Sequence, residues 1–329
     1  MSSPYRAGPA KPQLRPGVVL TLWHGDGLDD ATDAATLDLL AQARPDVVQL
    51  HAAPKGLTAH ARAAALKVRG ALPGVRLWLG VGCDGWLWEW AQGRCSRQAA
   101  VDRLTGAADL AAELGAEAVC WNGEAAYKEH VAQGAELARV VLERTASVHP
   151  PLAQAFTSYD HPHYHPDPWR SWCYPGSPVT AALPQVYAAP GGDVLPYRGA
   201  LPARERTAMA SWQTAVRKGW VGPDVHAGAP GDEADLDWYP YVQAHSVLSR
   251  DTIPLALRYS LTSWWAAPTR LDAEGRLALL VVCELRRQGY TGPDAVQQYQ
   301  REHGLASDGV VGPLTLAKLE SQRKGVAPT

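Results

Sequence analysis

Two hydrophobic patterns alternate along the chain. Short, almost continuously apolar runs are followed by longer stretches in which apolar residues recur at helical spacing, as in Ala35, Leu37, Leu39 and Leu40. Runs that are apolar on both faces are typical of strands in a parallel sheet covered by helices on both sides. The pattern therefore predicts an α/β protein.

Eight strands and seven helices follow from these patterns. The predicted strands are 17–27, 46–54, 76–86, 116–127, 152–162, 182–190, 224–230 and 255–265. The predicted helices are about 33–44, 57–72, 97–114, 130–148, 202–219, 234–250 and 272–288. Eight such units match a (βα)8 TIM barrel, which typically takes about 250 residues. The alternative is an open doubly wound sheet, whose glycine-rich fingerprint is missing after the first strand.

The same reading divides the chain into four segments. We expect a flexible, proline-rich arm at 1–16, a catalytic barrel at 17–270, a small helical module at 271–322 and a tail at 323–329. The start of the chain has no apolar stretch of the kind that signal peptides carry, so we expect synthesis in the cytoplasm without a signal peptide.

Charge and composition narrow the partners. The net charge is -2 and there is no run of Lys and Arg, so we expect no nucleic-acid partner. No apolar run approaches the roughly 20 residues that cross a bilayer, so we expect no membrane partner. The 5 Cys lack paired spacing, which indicates reduced thiols. We expect a monomer without a cofactor.

Aromatic usage is unusual, with 13 Trp and 12 Tyr against 1 Phe. Rings with a polar group suit a core in which each N–H or O–H finds a partner. They equally suit a carbohydrate-binding cleft, where flat rings stack on sugars. The positions of the rings must decide between these interpretations.

In a barrel of this kind, functional residues lie at the carboxyl ends of the strands. Acids occur at four of these ends, namely Asp26, Asp84, Glu124 and Asp160. Rings and amides accompany them, and the predicted substrate-binding residues are Trp23, Trp86, Trp121, Asn122, Tyr159, Gln185, Tyr187, Trp264 and Trp265. Glycoside hydrolysis needs one carboxylic acid to protonate the leaving oxygen and a second carboxylate to stabilise the cationic sugar or activate water.

Glu124 is the first candidate for the acid, because it follows an apolar strand and lies near Trp121, a setting that raises a carboxyl pKa. Otherwise Glu124 merely opens the next helix. The second carboxylate remains open among Asp84, Asp160 and Asp26, each of which could instead cap a turn.

The stretch DHPHYHPD, residues 160–167, allows a metal interpretation, because alternating His side chains can face one side. It would make the protein a metal-dependent amidase or deacetylase that uses His161, His163 and His165. A polar loop beside the cleft is the interpretation we prefer, and we assign no metal ligand.

The C-terminal stretch AVQQYQREHGLASDGVVGPLTLAKL, residues 295–319, resembles the second half of the peptidoglycan-binding domain found on many cell-wall hydrolases. The matching positions are Tyr299-Gln300, Gly304-Leu305, Asp308-Gly309, Val311-Gly312, Thr315 and Leu319. The usual first half, with its own Asp-Gly turn, is missing. Helix 272–288 takes the place of the first helix, which predicts a module fused to the barrel.

The barrel looks like polysaccharide glycosidases in general. It departs from those with an Asn-Glu pair, because Gly123 separates Asn122 from Glu124, and from muramidases, which carry an acid where Asn122 stands. The resemblance implies a glycosidase acting on peptidoglycan or a related polysaccharide, as a phage endolysin or virion-associated lysin that reaches the wall after release. The alternative to an enzyme is a non-catalytic carbohydrate-binding or structural barrel.

Overall fold

The computed structural model describes residues 11–12, 14–15, 17–25, 28–29, 33–52, 57–159, 162–185, 210–222, 225, 241–243, 253, 257, 261–265, 273–292 and 294–325. For 23–25, 28–29, 52, 57–60, 241–243, 261–265 and 324–325 only the backbone is described.

One sheet organises this part of the chain. Its strands are β1 (Gly17–Gly25), β2 (Leu28–Asp29), β3 (Val47–Ala52), β4 (Arg76–Gly82), β5 (Ala118–Asn122), β6 (Ala153–Tyr159), β7 (Ala181–Gln185), β8 (Tyr241–Gln243) and β9 (Leu261–Trp265). They pair in the order β2-β1-β3-β4-β5-β6-β7-β8-β9, and β1 also pairs with β9. Every pairing is parallel except that of β2 with β1.

Six of these strands, β1 and β3 to β7, form a curved parallel sheet with extended pairing. The pairing of β7 with β8 rests on Gln185 and Tyr241 alone. The α/β class is therefore confirmed as a half-barrel of six parallel strands. The segments between β7 and β9 lie mostly outside the described residues, so the eightfold repeat stays a prediction.

Helices lie between the strands: α1 (Ala34–Ala43), α2 (Leu57–Ala71), α3 (Asp84–Ala91), α4 (Arg97–Glu113), α5 (Ala125–Glu129), α6 (Val131–Val148) and α7 (Pro166–Trp172). Four further α-helices are α8 (210–217), α9 (Ala273–Arg287), α10 (Ala295–Glu302) and α11 (Pro313–Gly325). None of the described helices is long and apolar enough to cross a bilayer.

Local chemistry explains several boundaries. Asp33 accepts a hydrogen bond from the backbone N–H of Thr36 at 2.8 Å and so caps α1. Ser96 accepts from Ala99 at 3.1 Å and caps α4 in the same way. Such caps each contribute about 1 kcal/mol, and both helices begin within a residue of the predicted position.

The predicted strand 224–230 lies outside the described residues apart from Val225. The strand that pairs with β7 is β8 at Tyr241–Gln243, so the predicted helix 234–250 is wrong for these three residues. Three residues are too few to show a period of two, and the acidic stretch before them hid the strand. The short helices α3, α5 and α7 were also missed, because five to eight residues barely define a helical face.

Two apolar layers cover the sheet. Alternate residues of the strands form a small inner cluster that includes Val19, Trp78, Cys120, Ala155 and Leu183. The other face packs against the helices in a much larger cluster. The alternation fixes which strand residues can reach the inside of the curved sheet.

The amino end of the sheet, where the parallel strands begin, is closed by part of the N-terminal arm. Lys11 donates to the carbonyl of Val179 at 2.9 Å, and the carbonyl of Pro12 accepts from Thr180 at 3.0 Å. Leu14 packs against the inner cluster. Residues 11, 12 and 14 of the expected flexible arm thus contact the sheet, while the flexibility of the arm stays a prediction.

The C-terminal module is built on α9. This helix packs against α1 on the barrel side and against α10 and α11 on the other side. The side chain of Gln300 links the parts of the module by hydrogen bonds. Its amide N–H donates to Asp308 at 2.8 Å and to Thr315 at 3.2 Å, and its oxygen accepts from the N–H of Gly309 at 2.8 Å. One helix thus serves both units, as the missing first half of the motif predicted.

Candidate active site

Asp84 and Glu124 come together at the carboxyl end of the sheet, where the parallel strands finish. Asp84 begins α3 just after β4, and Glu124 precedes α5 just after β5. The backbone N–H of Glu124 donates to Asp84 Oδ1 at 2.9 Å. Both side chains are partly exposed, so a ligand can reach them. Because β4 and β5 are neighbours, the parallel register itself places the two acids side by side.

Gln185 orients Glu124. Its Nε2 donates to Glu124 Oε1 at 2.9 Å and, more weakly, to Asn122 Oδ1 at 3.3 Å. Gln185 ends β7 and is buried, so its amide has a fixed position from which to hold the carboxylate. Asp84, Glu124 and Gln185, predicted at the ends of three different strands, therefore form one hydrogen-bonded group.

The Asp84 carboxyl has an unusual environment. Burial raises its pKa from 3.8 to about 6; hydrogen bonds from the backbone N–H groups of Glu124, Ala125 and Ala126 oppose the rise, and the charge of Glu124 adds to it. The N-terminus of α5 is thus capped by a side chain from another strand. Asp84 holds the segment that carries Glu124 and changes its charge close to neutral pH.

Tyr159, at the end of β6, faces the same group. Burial raises the pKa of its phenol from 10.0 to about 12, and the negative charges of Glu124 and Asp84 add to the rise. The hydroxyl therefore stays protonated at neutral pH and can donate a hydrogen bond. Lys128 of α5 lies over the ring, with Nζ 4.5 Å from its centroid. Sequence patterns did not single out Lys128.

Gly123 sets the backbone before Glu124. A Cβ at this position would lie 2.9 Å from Cε2 of Tyr127 and 3.1 Å from Nε1 of Trp172. Its carbonyl accepts from Ser158 Oγ at 2.6 Å. The glycine that separates Asn122 from Glu124 is therefore required by packing, because a larger residue would displace the acid.

Two predicted sugar-binding rings are corrected by their burial. Trp121 is 0 % exposed, stacks on Trp172 at 5.6 Å and donates to Gln154 at 3.1 Å, all within the layer between sheet and helices. Trp86 is 9 % exposed and lies beneath Arg103. Trp121 points away from the inside because it alternates with Cys120 and Asn122. Both rings are core residues.

Several predicted site residues lie outside the described part of the chain. Asp26, Asp160, His161 and Tyr187 belong to this group entirely. The backbone of Trp23 lies in β1, and the backbones of Trp264 and Trp265 lie in β9. Their side chains lie outside the described part of the chain. Their roles stay predictions. Among the four predicted acids, the described residues bring together Asp84 and Glu124.

The His-rich loop is partly described. His165 packs against Tyr159 with ring centroids 4.7 Å apart, and His163 stacks near Trp220 at 6.0 Å. Nζ of Lys218 lies 3.2 Å from Nε2 of His163. Within the described residues, no group of three His, Cys, Asp or Glu side chains could hold a metal ion. The described His rings contact aromatic and cationic side chains.

Comparisons with known proteins agree with the two-part organisation. Residues 286–319 match the peptidoglycan binding domain family, so the chain carries such a domain at its C-terminal end. The sequence matches no curated protein.

Most of the chain is similar in structure to the following solved proteins. The catalytic domain of a chitinase from Pyrococcus furiosus is 11% identical, with 86% of this chain and 100% of that chain covered and a TM-score of 0.49. Amy13B of Eubacterium rectale is 7% identical, covering 81% and 69%, with a TM-score of 0.47. A GH18 chitinase from Pseudoalteromonas aurantia is 13% identical, covering 82% and 98%, with a TM-score of 0.45. Similarity at this level does not identify an activity for this chain.

Proposed function

We propose that the protein is a glycosidase that cleaves the glycan of peptidoglycan or a related polysaccharide. The observation that carries this proposal is the pair Asp84 and Glu124, two reachable carboxyl groups on adjacent strands at the carboxyl end of the sheet. Glycoside hydrolysis requires two carboxyl groups in different environments. Burial raises the pKa of Asp84 to about 6, whereas Glu124 accepts from the fixed amide of Gln185.

Glu124 is the acid/base in this proposal. Its carboxylate is held by one hydrogen bond on Oε1, and its backbone is fixed by Asp84 and by the packing around Gly123. Asp84 is the second carboxylate in this proposal, and its Oδ1 accepts the backbone N–H of Glu124 at 2.9 Å. Tyr159 and Asn122 are positioned to contact the sugar.

The proposal includes the complete (βα)8 barrel with the boundaries expected from the sequence. The pairing of β9 with both β8 and β1 supports it, because such pairings join the two edges of the curved sheet. The wall is the proposed partner of the fused C-terminal domain, supported by the match at 286–319. A role as a lysin that reaches the wall after release, or within a phage particle, stays a prediction that fractionation of infected cultures would test.

The decisive experiment measures release of reducing sugar from purified peptidoglycan. Glu124→Gln should lower the rate by at least about 10²-fold, the usual contribution of a general acid. Glu129→Gln is the matched control, because this exposed carboxylate lies five residues further on and accepts a hydrogen bond from Trp88 rather than from Gln185. It should keep wild-type activity.

Two further measurements in this experiment distinguish the glycosidase from the two alternative functions. Activity abolished by a chelator, with release of amino groups rather than reducing ends, would establish a metal-dependent amidase instead. Binding to peptidoglycan without any release of sugar, equal in wild type and Glu124→Gln, would overturn the enzyme and leave a binding barrel.

A further inference from the structure

A row of aromatic rings leads away from the proposed acid. It begins at Tyr159, whose strand neighbour Gln185 donates to Glu124, and the ring centroid of His165 lies 4.7 Å from that of Tyr159. Tyr164 precedes His165 in the sequence, and its ring centroid lies 5.0 Å from that of His163. The centroid of His163 in turn lies 6.0 Å from that of Trp220. We call these five residues the ring row. Tyr164 is 68 % exposed, so the row reaches the surface.

Three cations stand over this row. Lys128 Nζ lies 4.5 Å from the Tyr159 centroid. At the far end, Lys218 Nζ and the Arg170 guanidinium carbon lie 4.4 Å and 5.2 Å from the Trp220 centroid. All three cationic residues are exposed. Both ends of the ring row therefore carry positive charge.

Some other cations on the surface have acidic partners. Arg62 pairs with Glu113 at 2.6 Å, and Arg144 pairs with Asp102 at 2.8 Å. Within the described part of the chain, Lys128, Lys218 and Arg170 form no ion pair with an acid. The negative faces of the rings hold the cations in place, and each cation keeps N–H groups that can donate to an anion.

We propose that the ring row is an extended subsite for a glycan strand that bears carboxylate groups. A sugar face stacks on the exposed ring of Tyr164, while Lys128 at one end and Lys218 with Arg170 at the other pair with carboxylates spaced along the strand. This inference rests on the proposed function for the choice of a glycan and names its class: acidic rather than neutral. Peptidoglycan suits this site because alternate sugars carry a carboxyl-bearing substituent.

The test measures binding by calorimetry, with the full-length Glu124→Gln protein to prevent cleavage. The ligands are peptide-free peptidoglycan glycan strands before and after methyl esterification of their carboxyl groups. Esterification should weaken binding about fivefold to tenfold, the effect of losing two exposed ion pairs. Lys218→Met with Arg170→Met should weaken binding of the acidic strand by a similar factor and leave the esterified strand unchanged.

Lys67→Met is the matched control, because Lys67 is exposed on α2 and belongs to no ring contact in the described structure. It should bind both ligands as the parent does. Binding by the C-terminal domain is common to all variants and cancels in the comparison. Equal binding of acidic and esterified strands by the parent, or equal loss in Lys67→Met, would overturn the subsite. A protein that discriminates the strands yet cleaves neither would keep the subsite and lose only the glycosidase.

Discussion

The two ends of the sheet treat carboxylates in opposite ways. At the amino end, Glu117 accepts from Arg15 at 3.0 Å, from Arg76 at 3.2 Å and from Trp78 at 3.1 Å. Burial alone would raise its pKa, but these hydrogen bonds and charges lower it. At the carboxyl end, burial raises the pKa of Asp84 to about 6 and the adjacent charge of Glu124 adds to this. One end pairs its acid with cations, whereas the other holds two acids next to each other.

The C-terminal domain lies at the amino end of the sheet, the same end as Glu117. Near the end of α9, burial lowers the pKa of Arg286, whose charged neighbours are Asp46, just before β3, and Arg76, at the start of β4. The N–H of Gly292 donates to the carbonyl of Leu257 at 2.7 Å. A wall strand held by this domain would therefore lie at the opposite end from Glu124, and the cleft would face a different strand.

Beyond Glu124 itself, the largest effect should come from Asp84→Asn at the carboxyl end. We expect kcat to fall up to about 10²-fold, because loss of the charge and of one acceptor oxygen weakens the hydrogen bonds that fix the segment carrying Glu124. The pH profile of kcat, measured between pH 4 and 8, should also lose a limb near 6. A profile identical to that of the wild type would show that Asp84 does not act on Glu124.

The same variant has a stability signature. The folded-state pKa of Asp84 lies above its ordinary value of 3.8, so the folded state binds more protons between about pH 4 and 6. Its contribution to stability is present below about pH 4 and is lost as the pH rises through 6. The free energies of unfolding of wild type and Asp84→Asn, measured with denaturant, should converge at low pH. Between about pH 4 and 6 their dependence on pH should differ, because only the wild type carries the titrating carboxyl group.

Glu117→Gln should show the converse behaviour at the amino end. We expect the free energy of unfolding to fall by about 2 kcal/mol, because hydrogen bonds to a charged group are lost, while kcat stays unchanged. Since the pKa of Glu117 is lowered, this stabilisation is present at neutral pH and disappears as the pH falls below its ordinary value of 4.5. Urea unfolding and the reducing-sugar assay check the two halves. A loss of kcat in the folded Glu117→Gln variant as large as that in Asp84→Asn would contradict the different roles of the two ends of the sheet.

The smallest effect should come from Leu314→Asn in the C-terminal domain. Leu314 is 72 % exposed and lies close in sequence to Val310, also exposed, which makes this turn a candidate wall contact. We expect about fivefold weaker binding to insoluble peptidoglycan, with kcat/KM on short soluble glycans unchanged. Leu66→Asn on α2, where Leu66 is 71 % exposed, is the matched control. A lower kcat/KM on soluble glycans would show that the domain reaches the cleft.

The hydrophobic periodicity of the sequence determined most of the framework. It placed β1 and β3 to β7 within a few residues, the long helices within one or two, and α9 as a helix shared by the two units, because long periodic segments carry their own signal. It also placed Glu124, Asp84, Tyr159 and Gln185 at strand ends, where a parallel sheet must collect them. The domain at the C-terminus was readable because its turn residues have a fixed spacing.

The tertiary structure decided what the pattern could not. β8 has three residues, too few for a period, and only pairing with its neighbours defines it. Trp121 and Glu124 lie three residues apart, yet Trp121 faces the helices while Glu124 contacts Gln185 at the end of β7, because pleat direction depends on register with β4 and β6. Asp84 lies beside Glu124, its pKa is raised, and cations lie over the ring row. All three features depend on residues that are distant in the sequence and that only packing brings together.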